Sequence, residues 1–340
     1  NYMPFLCLAL IGVDRHLKAR KNGLLTAGVF LMIMSSFYFS VSGLFAIGLY
    51  WLSVCLDREE NLGLRGLFRS GALFLVPIFT AVLMAGILLI PTLASLLQSQ
   101  RAEPAAAGLS ALLVPQFRLL RYTYSPYGLG LPSIAISALL AGLFYRRRGE
   151  RVLALGLILI TVFPIILYLL NGGLYVRDKV LIPFLPLVCY LAALFFQKLD
   201  AGRQRPVDGI TMGKLTAVLS STTALTLIGI DQTAYWFVIF ADALLMLLLV
   251  FIYRRHPTFK LFLIPVIMIM LVAGFVIQNP EKLATADTYR ELYDPDIHDA
   301  MREVSDADPS FYRMDSFFNK DDSMNQVDAD SQYLTSFYSS

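Results

Sequence analysis

The chain has 340 residues, 57% of them hydrophobic and only 16% charged, with a mean hydropathy of +0.63. Soluble domains carry about 25% charged residues, so too little polar surface is present to face water. Fourteen of the 25 acidic residues follow Gln278, which concentrates the polarity in a tail. A soluble enzyme, a disordered chain and a nucleic-acid binder are excluded, which leaves an all-α polytopic membrane protein. The net charge of +3 says little, because the placement of Lys and Arg matters more than their sum. Cys7, Cys55 and Cys189 sit in apolar runs without CxxC spacing, as small hydrophobic residues do. The chain opens on Asn1 with no initiator Met or signal peptide, so the expectation is an internal piece of a longer protein.

A membrane helix needs roughly 20 mostly apolar residues. In chain order the spans are expected near 2–13, 24–38, 39–56, 70–90, 131–145, 152–170, 180–196, 213–230, 235–253 and 261–277, about ten in all. The run 24–56 is too long for one helix, and SSFYFS at 35–40 is its only polar break. Charge favours a hairpin there. With the chain turning at SSFYFS, basic clusters at 14–23, 57–69, 146–151, 197–214 and 254–260 share one side and hold 18 cations. Loops on the other side hold Arg101, Arg118, Arg121, Arg177 and Lys179, and the acidic tail holds five more cations. The positive-inside rule then puts the clusters in the cytoplasm and the tail outside it.

The cytoplasmic loops are short topology anchors with no evident chemistry. Outside, residues 91–130 form a loop of about forty residues, longer than connections run without a function. Leu109, Leu112, Leu113, Phe117 and Leu120 recur there at helical spacing beside Arg118 and Arg121, as in an interfacial helix. Its arginines suit lipid headgroups and a substrate phosphate equally. RYTYSPYGLGLP follows, with Tyr122, Tyr124 and Tyr127 among prolines and glycines that fix a backbone shape. The loop 171–179 carries Tyr175 and then Arg177, Asp178 and Lys179 at the membrane surface. These three are either a snorkelling anchor or a cationic pocket for a phosphate, with Asp178 orienting a cation.

Asp242 in FADALLMLL is the one ionisable residue inside a span, so it should face the bundle interior, in a structural or a functional role. His16 and His256 are placed in basic loops and His298 in the tail, without ligand spacing. In the tail, Asp294-Pro295 starts a short helix, and 310–318 and 332–340 alternate as strands do. Residues 279–340 therefore read as the opening of an extracytoplasmic mixed α/β or β-rich domain. No repeat, phosphate loop, nucleophile elbow or paired-carboxylate motif is visible.

SSFYFSVSGLFAIGLYWL (35–52), YSPYGLGLP (124–132), the Asp178-Lys179 pair leading into VLIPFLPL (180–187) and SFYRMD (310–315) resemble the bacterial YfhO family. That family is similar to the C-type glycosyltransferases, which take sugars from polyprenyl-phosphate carriers on the outer membrane face. The resemblance implies sugar transfer from such a donor to a cell-surface polymer such as a teichoic acid, with the lipid bilayer and no nucleic acid as further partner. C-type enzymes carry their acidic catalytic residue in the first outer loop, which the resemblance places before Asn1. Asp178, Asp231 and Asp242 are accordingly not assigned as the base. A donor site remains, with Arg177, Lys179, Arg118 and Arg121 for the phosphate and Tyr122, Tyr124, Tyr127, Tyr175 and Asp178 lining it. Some C-type enzymes use a divalent metal, but no ligand cluster is seen and no cofactor is assigned. The other readings are a lipid-linked sugar flippase or transporter, and a non-enzymatic scaffold of envelope polymer synthesis.

Overall fold

A computed structural model describes residues 2–58, 63–98, 109–116, 133–173 and 176–204, with isolated positions between 218 and 303. The elements are α1 (Met3–Ala19), α2 (Gly23–Ser35), α3 (Phe37–Arg58), α4 (Leu64–Met84), α5 (Gly86–Gln98), α6 (Leu109–Leu112), α7 (Ser133–Gly142), α8 (Arg148–Val162), α9 (Pro164–Leu170), a 3₁₀ helix (Asp178–Phe184) and α10 (Leu185–Gln204). Among the described residues there is no strand.

Phe37–Arg58, Arg65–Met84 and Asp178–Lys198 are each long and apolar enough to cross a membrane. The bent pair α8–α9 would make a fourth crossing. The spans expected at 213–230, 235–253 and 261–277 lie outside the described residues, apart from isolated helical positions such as Val218, Asp242 and Leu245. In the tail only Asp299, Arg302 and Glu303 are described, all helical, and both expected strands lie outside.

Three stretches differ from the simple spans expected. The 70–90 segment is two helices meeting at Ala85, and the second carries helix eight residues into what composition marks as loop. Its TLASLLQ run keeps helix-forming residues, and Thr92 Oγ1 donates to the Leu88 carbonyl at 2.7 Å beside the Pro91 interruption. The 131–145 segment yields a helix of only ten residues, about 15 Å long, half the hydrocarbon thickness. The 152–170 segment breaks at Phe163, where α8 and α9 meet at 90°.

The 24–56 run divides at Ser36, inside SSFYFS, where one extended residue (φ −160°, ψ 102°) ends α2. The chain folds back, and Gly43 of α3 stands against Met32 of α2 so closely that a Cβ would lie 2.6 Å from its Sδ. Between α1 and α2 the approach is closer still. A Cβ on Gly12 would lie 2.6 Å from the Leu25 Cα, and one on Gly28 would lie 2.6 Å from the Ala9 nitrogen. Lipid removes most of the hydrophobic drive for helices to associate, so small residues that admit backbone contact carry the packing.

Two apolar cores flank α3. Leu6, Ala9, Leu25, Val29, Met32 and Ile47 build one with α1, α2 and α4. Ala46, Leu139, Leu153, Leu157, Phe184, Leu191 and Phe195 build the other with α7, α8, α10 and the 3₁₀ helix. Adjacent residues Ala46 and Ile47 serve opposite cores, as 100° of helical rotation requires.

Contacts also order the ends of the bundle. Tyr50 donates to Asp14 at 3.4 Å, and Tyr190 meets Tyr50 edge-on with centroids 5.8 Å apart. Asp57 accepts from the Gly149 N–H at 2.7 Å, and Lys198 pairs with Glu150 at 2.7 Å. The C-terminal parts of α3 and α10 thus meet the N-terminus of α8, and Asp14 ties the end of α1 to α3, which gathers the basic clusters around 15–21, 58 and 146–151 at one end. At the opposite end Tyr2 stacks on Phe39 at 4.8 Å, and the Ser36, Phe163 and Asp178 breaks lie there.

Candidate functional site

The end away from the basic clusters departs from straight helices, and the cause is readable in TVFP, 161–164. Proline disfavours the helical conformation in the residue before it, and Phe163 is extended at φ −100°, ψ 111°. Pro164 then opens α9 at a position where its missing N–H costs nothing. Carbonyls freed by such a break need partners in a membrane. Just before the break the Thr161 hydroxyl donates back to the carbonyls of Leu157 at 3.0 Å and Ile158 at 2.7 Å, which satisfies the buried hydroxyl within its own helix. The Val162 carbonyl accepts from the Gln116 N–H at 2.9 Å, which ties the 91–130 connection to the break.

Helix α9 closes with Asn171-Gly172-Gly173, both glycines at positive φ (70° and 75°) that a side chain would strain. The Gly173 N–H returns to the Tyr168 carbonyl at 2.9 Å. Arg177 follows in extended conformation at the head of the 3₁₀ helix. Val180, Leu181, Pro183 and Phe184 are buried and fix this helix to the bundle, while Arg177 and Lys179 are exposed and Asp178 is half-buried. A ledge, the 3₁₀ helix anchored by its buried side chains, therefore presents two exposed cations spaced by one carboxylate.

Of the residues singled out from sequence, Arg177, Asp178 and Lys179 are brought together on this ledge. Arg118, Arg121, Tyr122, Tyr124, Tyr127 and Tyr175 lie outside the described residues. Asp242 is helical and 4% exposed, and nearby Leu245 packs against the core that contains Phe184 and Phe195. Among the described residues no three His, Cys, Asp or Glu side chains gather as a metal site would require.

Sequence reading missed the polar organisation of the other end, where it expected featureless anchors. Glu150 is buried in the first turn of α8, paired with Lys198, whose Nζ also lies 4.6 Å from the centre of the Tyr145 ring. Asp57 of α3 caps the same helix from outside. An acidic residue one position after a glycine, in a block of four arginines, was the available signal. His16 is likewise no loop residue. It belongs to α1, is 2% exposed, and its Nδ1 lies 2.7 Å from Asn22 Oδ1 across the α1–α2 turn.

A family described as bacterial membrane protein YfhO matches residues 1–340. Neither a search of curated proteins nor a search of solved structures found a match.

Proposed function

The chain belongs to the YfhO family of bacterial membrane proteins, and from that premise we propose that it takes part in sugar transfer from a polyprenyl-phosphate carrier to a cell-envelope polymer such as a teichoic acid. The observation that carries the reading is the Arg177–Asp178–Lys179 ledge: two exposed cations on a backbone fixed by a buried 3₁₀ helix, at the end away from the basic clusters. Cations held there can bind the carrier phosphate and stabilise it as it departs. Arg118 and Arg121 extend the donor site, and the tyrosines at 122, 124, 127 and 175 contact isoprenoid and sugar.

In this reading the ledge faces away from the cytoplasm, because the basic clusters gather at the opposite end. Membrane-impermeant thiol labelling of intact cells should modify a cysteine placed at Ser35 and spare one at Lys21, in a background without native cysteines. Equal labelling of the two would reverse the assignment.

Transfer itself is tested at Arg177. Guanidinium binds two phosphate oxygens in one plane and ammonium acts as a point charge, whereas a headgroup anchor tolerates either. Arg177→Lys should lower transfer from a polyprenyl-phosphate sugar in proteoliposomes at least tenfold, about 1.4 kcal/mol, with unchanged insertion. A variant that matches wild type makes Arg177 an anchor and moves the donor site to Arg118 and Arg121.

The 90° break at Phe163 favours a second reading, a flippase for the lipid-linked sugar, because discontinuous helices line transport paths. Translocation of a labelled carrier lipid without loss of its sugar would select it.

A further inference from the structure

Helix α8 has two faces with different fates. Gly149, Glu150, Leu153, Ala154 and Leu157 are buried in the bundle. Arg148, Arg151, Val152 and Leu155 follow one another at helical spacing along the other side, and with Leu56 of α3 and Leu143 after α7 they line an open groove of about 480 Å³. The stripe is graded. Arg148 and Arg151 are exposed at the basic end and carry no ion pair among the described residues. Beyond them come only apolar side chains, with Leu155 47% and Leu159 39% exposed. From Arg151 to Leu159 the helix rises about 12 Å, the scale that separates a lipid phosphate from the middle of its acyl chain.

A solvent-facing helix would not follow two arginines with exposed Leu155 and Leu159, so this side of α8 passes from headgroup depth to acyl depth. We propose that this groove holds one anionic glycerophospholipid of the leaflet at the basic end, its phosphate between Arg148 and Arg151 and an acyl chain against Val152, Leu155, Leu56 and Leu143. Charge selects the occupant: guanidinium pairs favour a headgroup with net negative charge over a zwitterionic one. The groove is separate from the Arg177 ledge, which stands at the other end of the bundle, so the two sites fail independently.

Native mass spectrometry of the purified protein, titrated with phosphatidylglycerol or phosphatidylcholine, tests this. Wild type should retain one phosphatidylglycerol at concentrations where phosphatidylcholine has dissociated. Arg148→Gln with Arg151→Gln should weaken that first binding event at least tenfold, and Leu155→Trp should weaken it by filling the groove with both arginines intact. The control pair Arg15→Gln with Arg65→Gln removes equal charge from other basic segments and should leave it unchanged. Equal retention of the two lipids, or equal loss in the control pair, would overturn the proposal and leave only non-specific attraction.

Discussion

Gly149→Ala is expected to destabilise the protein by about 2–5 kcal/mol, combining the costs of overpacking and of a lost helix cap. A Cβ at this position would stand 2.7 Å from the Asp57 Cγ and would overlap the Ser53 carbonyl oxygen. Neither neighbour can yield cheaply. The carbonyl belongs to the α3 backbone, and the Asp57 carboxylate is held by the Gly149 N–H it caps. Relief requires α3 and α8 to separate, which opens the core between them. Gly156 supplies the control. It lies two turns along the same face of α8, and a Cβ there would meet Leu49 Cδ1 at 2.7 Å, the far end of a flexible side chain. Leucine can rotate, and alanine is the better helix former by about 1 kcal/mol. Gly156→Ala should therefore lie within about 1 kcal/mol of wild type. Thermal or denaturant unfolding of the two variants in one lipid nanodisc separates them. Equal stability would mean that α3 and α8 separate at Gly149 without cost.

Membrane helices were legible in the sequence because runs of apolar residues report directly on the solvent they face. The break at Ser36 was legible too, since SSFYFS interrupts a run too long for one helix. The break at Phe163 escaped because a span is recognised by composition, and Phe and Pro are as apolar as their neighbours. Only the backbone restriction that Pro164 imposes on Phe163 distinguishes them. The same limit hid the α4–α5 junction at Ala85, where no residue is polar. For the candidate site, sequence brought out Arg177, Asp178 and Lys179 because charge between two apolar runs stands out. It gave no means of seeing that Val180, Leu181 and Phe184 anchor them on a 3₁₀ helix. Local periodicity is equally silent on Glu150 and Lys198, which are 48 positions apart and meet only through packing.

Lys198→Met should be costly at that end of the bundle. Glu150 is 4% exposed and its Oε2 lies 2.7 Å from the Lys198 Nζ. Removing the cation leaves a carboxylate in a site that water reaches poorly, and breaking such a pair from one side costs about 3–5 kcal/mol. The cation–π contact with Tyr145 adds to the loss. Glu150→Gln is expected to cost less, because Lys198, 17% exposed, can extend its stem toward the headgroups. The two changes should therefore not add. With Gln at 150 no charge remains to be compensated, so Lys198→Met with Glu150→Gln should recover most of the stability lost in Lys198→Met alone. Denaturant unfolding of the four species closes the double-mutant cycle. A double variant no more stable than Lys198→Met would mean that Lys198 acts through the packing of its alkyl chain, and that the pair with Glu150 contributes little.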